Sequence, residues 1–205
     1  MTNAETVARR ADPDANAVER LDMEAVVTLV PPKESALARA ARAVSKLGDE
    51  PPVFAAAVLP LAAGVLRRDE AMMRRGAHLL AAVSVAYLAK EAVKHTVART
   101  RPSELLEHGR HEVRLFGPDR KEWQSFPSGH LSCSTALGRA WARCWPGARW
   151  PAAGAVTVLA LTRVPAGGHY PSDVAAGVVV GLAAEALAEW LVPAERQEDW
   201  PGERR

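Results

Sequence analysis

The stretch Thr162-Arg163-Val164-Pro165-Ala166-Gly167-Gly168-His169-Tyr170-Pro171-Ser172-Asp173 closes one apolar run, residues 151–166, and opens another, residues 173–192. Pro171 and Ser172 are favourable helix-start residues, which puts Asp173 in a first helical turn and His169 in the loop just before it. Two helices therefore meet at a turn that carries polar chemistry. From that placement a carboxylate can reach one imidazole nitrogen and fix the tautomer, leaving the other nitrogen free as base or nucleophile. Arg163 offers a planar fork for an oxyanion such as phosphate. Gly167 and Gly168 permit close backbone approach. Taken alone, the stretch also fits a loop histidine beside a helix cap and a surface arginine.

Working outward, apolar runs rich in Ala and Val recur at 52–66, 77–93, 131–145, 151–166 and 173–192, separated by charged or Gly/Pro-containing breaks. They predict an all-α helical bundle, integral to a membrane, with about five spanning helices. No run reaches 18 uninterrupted apolar residues, and the mean hydropathy is −0.10, so a soluble helical core is the alternative. Charge placement favours the membrane. Arg67, Arg68, Arg74 and Arg75 lie between the first two runs, and Arg139, Arg143 and Arg149 cluster around the end of the third. With basic loops kept in the cytoplasm, successive segments alternate, and 94–129 and 163–173 share the outer face. No strand pattern and no internal repeat is visible.

The first 50 residues carry nine acidic and seven basic side chains and no apolar core, so neither a secretory signal nor a spanning helix is read there. Residues 1–18 are expected to be disordered. At about 34–47 the apolar positions Leu37, Ala38, Ala41 and Val44 recur at helical spacing and predict an amphipathic helix. The expected organisation is a polar segment over 1–50, a membrane-embedded bundle over 51–193 and a polar tail over 194–205. A net charge of +2 without a basic stripe argues against nucleic acid. Cys133 and Cys144 fall on one helix about 16 Å apart along its axis and cannot pair with each other.

Two further stretches carry candidate chemistry. In Lys94-His-Thr-Val-Ala-Arg-Thr-Arg101-Pro102, a seven-residue spacing puts Lys94 and Arg101 on one face of a helix that Pro102 stops. A point charge and a planar fork together can grip a phosphate. Lys90 and Arg99 are read as ordinary cations near a helix end. In Phe126-Pro127-Ser128-Gly129-His130, Ser128 can cap a helix or donate its hydroxyl to an anion, Gly129 lets backbone N–H groups approach, and His130 faces the same anion as a general acid. The intervening loop, 103–125, reads as a solvated rim, and neither His108 nor His111 stands out.

Together, and in this order, Lys94-x6-Arg101-Pro102, Pro127-Ser128-Gly129-His130 and Arg163-x5-His169-x3-Asp173 closely resemble the three-part signature of the type 2 phosphatidic acid phosphatase family. The resemblance covers about residues 50–192. One departure is Thr162, where the family usually has serine before the arginine. The resemblance implies a phosphatase without metal or other cofactor. In it Lys94, Arg101, Arg163, Ser128 and Gly129 bind the phosphoryl oxygens. His169 forms a phosphohistidine, Asp173 orients it, and His130 protonates the leaving group. The implied partners are the bilayer and a lipid phosphate or isoprenyl diphosphate, such as undecaprenyl diphosphate. The implied location is a bacterial inner membrane with the site outside. A soluble acid phosphatase of the same superfamily and a non-catalytic phospholipid-binding membrane protein are the alternatives.

Overall fold

The computed structural model describes residues 6, 7 and 11–194. Two short helices, α1 (Ala17–Leu29) and α2 (Ala36–Ser45), precede the long helices α3 (Glu50–Arg67) and α4 (Glu70–Thr96). A short excursion follows, made of β1 (Val97–Arg99), α5 (Pro102–His108) and β2 (Val113–Leu115). The chain then returns through α6 (Gly129–Cys144), α7 (Arg149–Arg163) and α8 (Pro171–Leu191). The expected all-α bundle is thus present, with one antiparallel pair of three-residue strands that the sequence reading did not anticipate.

Among the described residues, length and composition make three helical stretches able to cross a membrane: Ala36–Arg67, which joins α2 and α3 through a 3-10 turn, then α4 and α8. The other two expected spans coincide with α6 and α7, of 16 and 15 residues, or roughly 24 and 22 Å. The amphipathic helix expected at 34–47 is α2, capped by the Ser35 hydroxyl on the Ala38 amide. The expectation of disorder over 1–18 fails for 11–18. Asn16 caps α1 and exchanges hydrogen bonds with Glu19, and Asp12 Oδ2 lies 3.2 Å from His111 Nδ1. The expected tail begins at Ala194, the last described residue, and otherwise lies outside the described residues.

The core is built for close approach. Ala57, Ala82, Ala86, Ala136, Ala140 and Ala188 are fully buried where α3, α4, α6 and α8 meet. Lipid tails are as apolar as leucine, so helices in a bilayer gain by bringing small residues together and packing backbones tightly. On α8, Gly177 and Gly181 face α6. A Cβ at Gly177 would sit 2.6 Å from Ser128 O, and one at Gly181 would sit 2.5 Å from Ser132 O and 2.6 Å from Thr135 Cβ. Gly181→Val should therefore force α6 and α8 apart and cost about 3 kcal/mol. A thermal melt in detergent checks this; an unchanged midpoint would mean that the two helices do not touch there.

Candidate active site

Arg163 ends α7, and Gly167, at φ +71°, turns the chain toward α8. A Cβ at Gly168 would lie 3.0 Å from Arg163 Nη2, so glycine leaves room for the guanidinium to lie along the loop. His169 is 2% exposed. Its Nδ1 is 2.7 Å from the Ser125 carbonyl, which can only accept, so Nδ1 carries the proton and Nε2 keeps its lone pair. Burial holds the ring's pKa down at about 4; Asp173 opposes that fall, and Arg163 and Arg101 add to it. At neutral pH the ring is uncharged and nucleophilic at Nε2.

Asp173 stands in the first turn of α8, as expected, and is fully buried. Its Oδ2 accepts from the Tyr170 amide at 2.9 Å and the Ser125 hydroxyl at 2.6 Å, and its Oδ1 accepts from Arg99 Nη1 at 2.7 Å. The distance from Oδ2 to His169 Nδ1 is 3.8 Å. The carboxylate therefore reaches the imidazole as its second partner, behind the Ser125 carbonyl. Ser125 ties the two together, its carbonyl on the histidine and its hydroxyl on the aspartate.

The second stretch departs from its predicted geometry. Helix α4 ends at Thr96, six residues before Pro102, because Val97–Arg99 turns into extended chain and pairs with Val113–Leu115. β-Branched residues at 96 and 97 suit that exit. Lys94 and Arg101 therefore do not share one helical face: Lys94 projects from the last turn of α4, and Arg101 precedes α5. They still serve one region. Lys94 Nζ is 3.5 Å from the Cβ position of Gly129, and Arg101 is steered by Nε donating to Lys121 O at 2.8 Å and Nη2 to Gln124 O at 3.3 Å. Burial lowers the Arg101 pKa despite the opposing pull of Asp173 and Glu122.

At the start of α6, Ser128 is fully buried and its amide donates to Asp173 O at 3.0 Å, which locks the second and third stretches together. The Ser128 side chain does not cap the helix, one of the two roles the sequence allowed it. Its hydroxyl and Arg163 Nε are buried without a hydrogen-bond partner among the described residues. Glycine at 129 is needed because a Cβ there would stand 2.9 Å from Lys90 Cδ. His130 Nε2 is 2.6 Å from Asp49 Oδ1. Among the described residues, Lys94, Arg101 and Arg163 form no ion pair, whereas Lys90 is paired with Glu50 and Glu91, and Arg99 with Asp22 and Asp173.

Beside this cluster a groove of about 510 Å³ runs between α3, α6 and α7, lined by Leu47, Val53, Leu137, Trp141, Ala155 and Leu159 among others. Ser134 lies on its wall, and Gly48 touches both Ser134 and His130, with its Cβ position 3.4 Å from Ser134 Oγ and 3.3 Å from His130 Cδ2. An apolar channel thus starts where the polar cluster ends.

Residues 75–197, which contain all three stretches, match the PAP2 superfamily. The chain belongs to the PAP2 superfamily. It is 34% identical over 106 residues to a lipid A 1-phosphatase of Rhizobium etli, a match covering 52% of this chain and 45% of that protein. It is 32% identical over 127 residues to a decaprenylphosphoryl-5-phosphoribose phosphatase of Mycobacterium tuberculosis, covering 60% and 62% of the two chains. The chain thus spans about half to two thirds of these relatives. Its fold is shared with LpxE of Aquifex aeolicus, at TM-score 0.61 and 20% identity over 87% of this chain and 98% of that one. It is also shared with a transmembrane PAP2-type phosphatidylglycerolphosphate phosphatase of Bacillus subtilis, at TM-score 0.63 and 18% identity over 94% and 93%.

Five residues around the site were not legible from the sequence motifs. Arg99, read as an ordinary helix-end cation, is instead the buried bridge between Asp22 and Asp173. Two carboxylates and the Asp22 hydrogen bond offset the lowering effect of burial and hold its pKa above the ordinary value. Lys90, read the same way, is buried against Glu50 and Glu91. His111, assigned to a solvated rim, is buried with Nε2 3.2 Å from Arg99 Nη2. Asp49 and Ser125, the partners of the two histidines, lie in no motif.

Proposed function

We propose that this PAP2 protein is a lipid-phosphate phosphatase that works without a metal through a phosphohistidine. The observation that carries the reading is the set of three cations without an ion pair among the described residues, Lys94, Arg101 and Arg163, gathered near a neutral buried His169 with a buried Ser128 hydroxyl that has no partner among those residues. A tetrahedral anion there would receive charge from three sides, and phosphoryl transfer needs little beyond alignment and dispersed positive charge. His169 Nε2 attacks phosphorus, and the P–O bond to the leaving group breaks as the N–P bond forms. Asp173, in contact range of Nδ1, stabilises the cationic ring that results. Once the negative charge of the bound phosphate joins that of Asp49, His130 takes up a proton, gives it to the departing oxygen and then takes one from the water that cleaves the N–P bond, regenerating His169 and releasing phosphate. Gly129 allows the α6 amides to face the anion.

The groove beside His130 suits a lipid tail, which would leave the head group at the cluster and the chain among α3, α6 and α7. Lipid A, polyprenyl and glycerolipid phosphates, the substrates in the names of the relatives and structural neighbours, all have this form. The arginines between the first two long helices, Arg67, Arg68, Arg74 and Arg75, support a site on the outer face, in keeping with a bacterial inner-membrane protein. Detergent-purified protein should release phosphate from at least one member of a panel of lipid mono- and diphosphates, with undiminished rate in EDTA. Loss of activity in EDTA with recovery on adding a divalent ion would overturn the metal-free mechanism. Binding without phosphate release would reduce the protein to a phospholipid-binding one.

A further inference from the structure

Helix α1 lies outside the matched residues 75–197, yet it docks over the catalytic loop. Met23 and Val26 are fully buried against Leu105, Val164 and Tyr170, and Val30 Cγ1 is 3.8 Å from the Cβ position of Gly167. From its buried face α1 sends in one charge, Asp22, which is 3% exposed. Asp22 Oδ1 accepts from the Ser172 amide at 3.0 Å, and Oδ2 accepts from Arg99 Nη2 at 2.8 Å and from the Ser172 hydroxyl. Arg99 Nη1 in turn donates to Ser172 Oγ at 2.8 Å and to Asp173 Oδ1 at 2.7 Å. The remaining Arg99 donors face His111 Nε2, and the guanidinium lies 4.1 Å over the Tyr170 ring. Every part of the fork is held in place.

The charge count gives this arrangement a purpose. Arg99 paired with Asp173 alone would cancel the one negative charge that the described residues bring into contact range of His169, leaving little to stabilise the ring when it becomes cationic. With Asp22 on the other side of the fork, two carboxylates share one guanidinium, and the buried group keeps a net charge of −1. We propose that Asp22 is a positioning residue for the reaction: acting through Arg99, it fixes the Asp173 carboxylate and preserves its charge for His169. Helix α1 is thereby a working part of the active site.

This inference rests on the phosphatase reading, and the experiment separates the two. Wild type, Asp22→Asn and the smaller uncharged Asp22→Ser are compared for kcat, KM, thermal midpoint and acid-labile phosphoprotein trapped by rapid quench. Asp22→Ser carries the measurement if the amide does not fold. The expected result is a kcat lowered roughly 10- to 100-fold with KM within about threefold, the scale on which displaced catalytic groups lose rate. Less trapped phosphoprotein should accompany it, because the step that charges the ring is the one slowed. Asp22→Glu, which retains the charge, should recover part of the rate. A kcat within about twofold of wild type, or a loss that merely tracks a lowered thermal midpoint and is not relieved in Asp22→Glu, would overturn the role of Asp22 and leave the phosphatase reading intact. A wild-type protein silent on every lipid phosphate would overturn both.

Discussion

His169→Ala should abolish phosphate release, by about 10,000-fold or more, and no phosphoprotein should be trapped from it. The expectation rests on what the ring does and on what surrounds it. Nδ1–H is committed to the Ser125 carbonyl, so Nε2 is the nitrogen left to attack. The hydroxyls of Ser125 and Ser128 offer no substitute: the first is bound to Asp173, and the second has no base within hydrogen-bond reach among the described residues. The cations would still gather the substrate, so binding should survive while turnover does not. A variant retaining more than about one hundredth of the wild-type rate would remove the nucleophile assignment, because positioning and charge alone leave only a small remnant of covalent catalysis.

Asp173→Asn should be nearly as damaging, lowering kcat about 1,000-fold and stability by about 3 kcal/mol. The carboxylate accepts from three donors at once: Arg99 Nη1, the Ser125 hydroxyl and the Tyr170 amide. A carboxamide has one oxygen. Whichever way it turns, its NH₂ faces either the guanidinium or the Ser125 and Tyr170 donors, and at least one buried donor loses its acceptor. The negative charge near His169 is lost in the same change. Steady-state kinetics and a thermal melt measured together test both halves; a rate within tenfold of wild type would show that the Ser125 carbonyl alone orients the ring.

Much of this was readable from the chain because it is local. Apolar runs bounded by Gly, Pro and charges located the long helices, and Pro171-Ser172 placed Asp173 in a first turn and His169 ahead of it. The three motifs likewise named the cations and histidines that the fold brings to one end of the bundle. What escaped was long-range pairing. Arg99 meets Asp22 across 77 positions, and His130 meets Asp49 across 81, so no spacing rule could connect them. Helix α4 ends earlier than the Lys94–Arg101 spacing predicts, because the strand that captures residues 97–99 is only three residues long and carries an arginine, too short for its alternation to register. Helix α1 does leave a mark: Asn16-x-x-Glu19 is a capping box, and the expectation of disorder over 1–18 runs across that cap and the first two residues of the helix.

The apolar groove between α3, α6 and α7 has a kinetic corollary. Leu47 and Val158 on its wall are exposed, so a hydrocarbon tail can slide in from the side while its head stays at the membrane surface. On the proposed lipid-phosphate reading, encounter takes place in two dimensions, and the concentration that matters is the mole fraction of substrate within the bilayer or micelle. Adding inert amphiphile at constant total substrate should slow turnover by surface dilution.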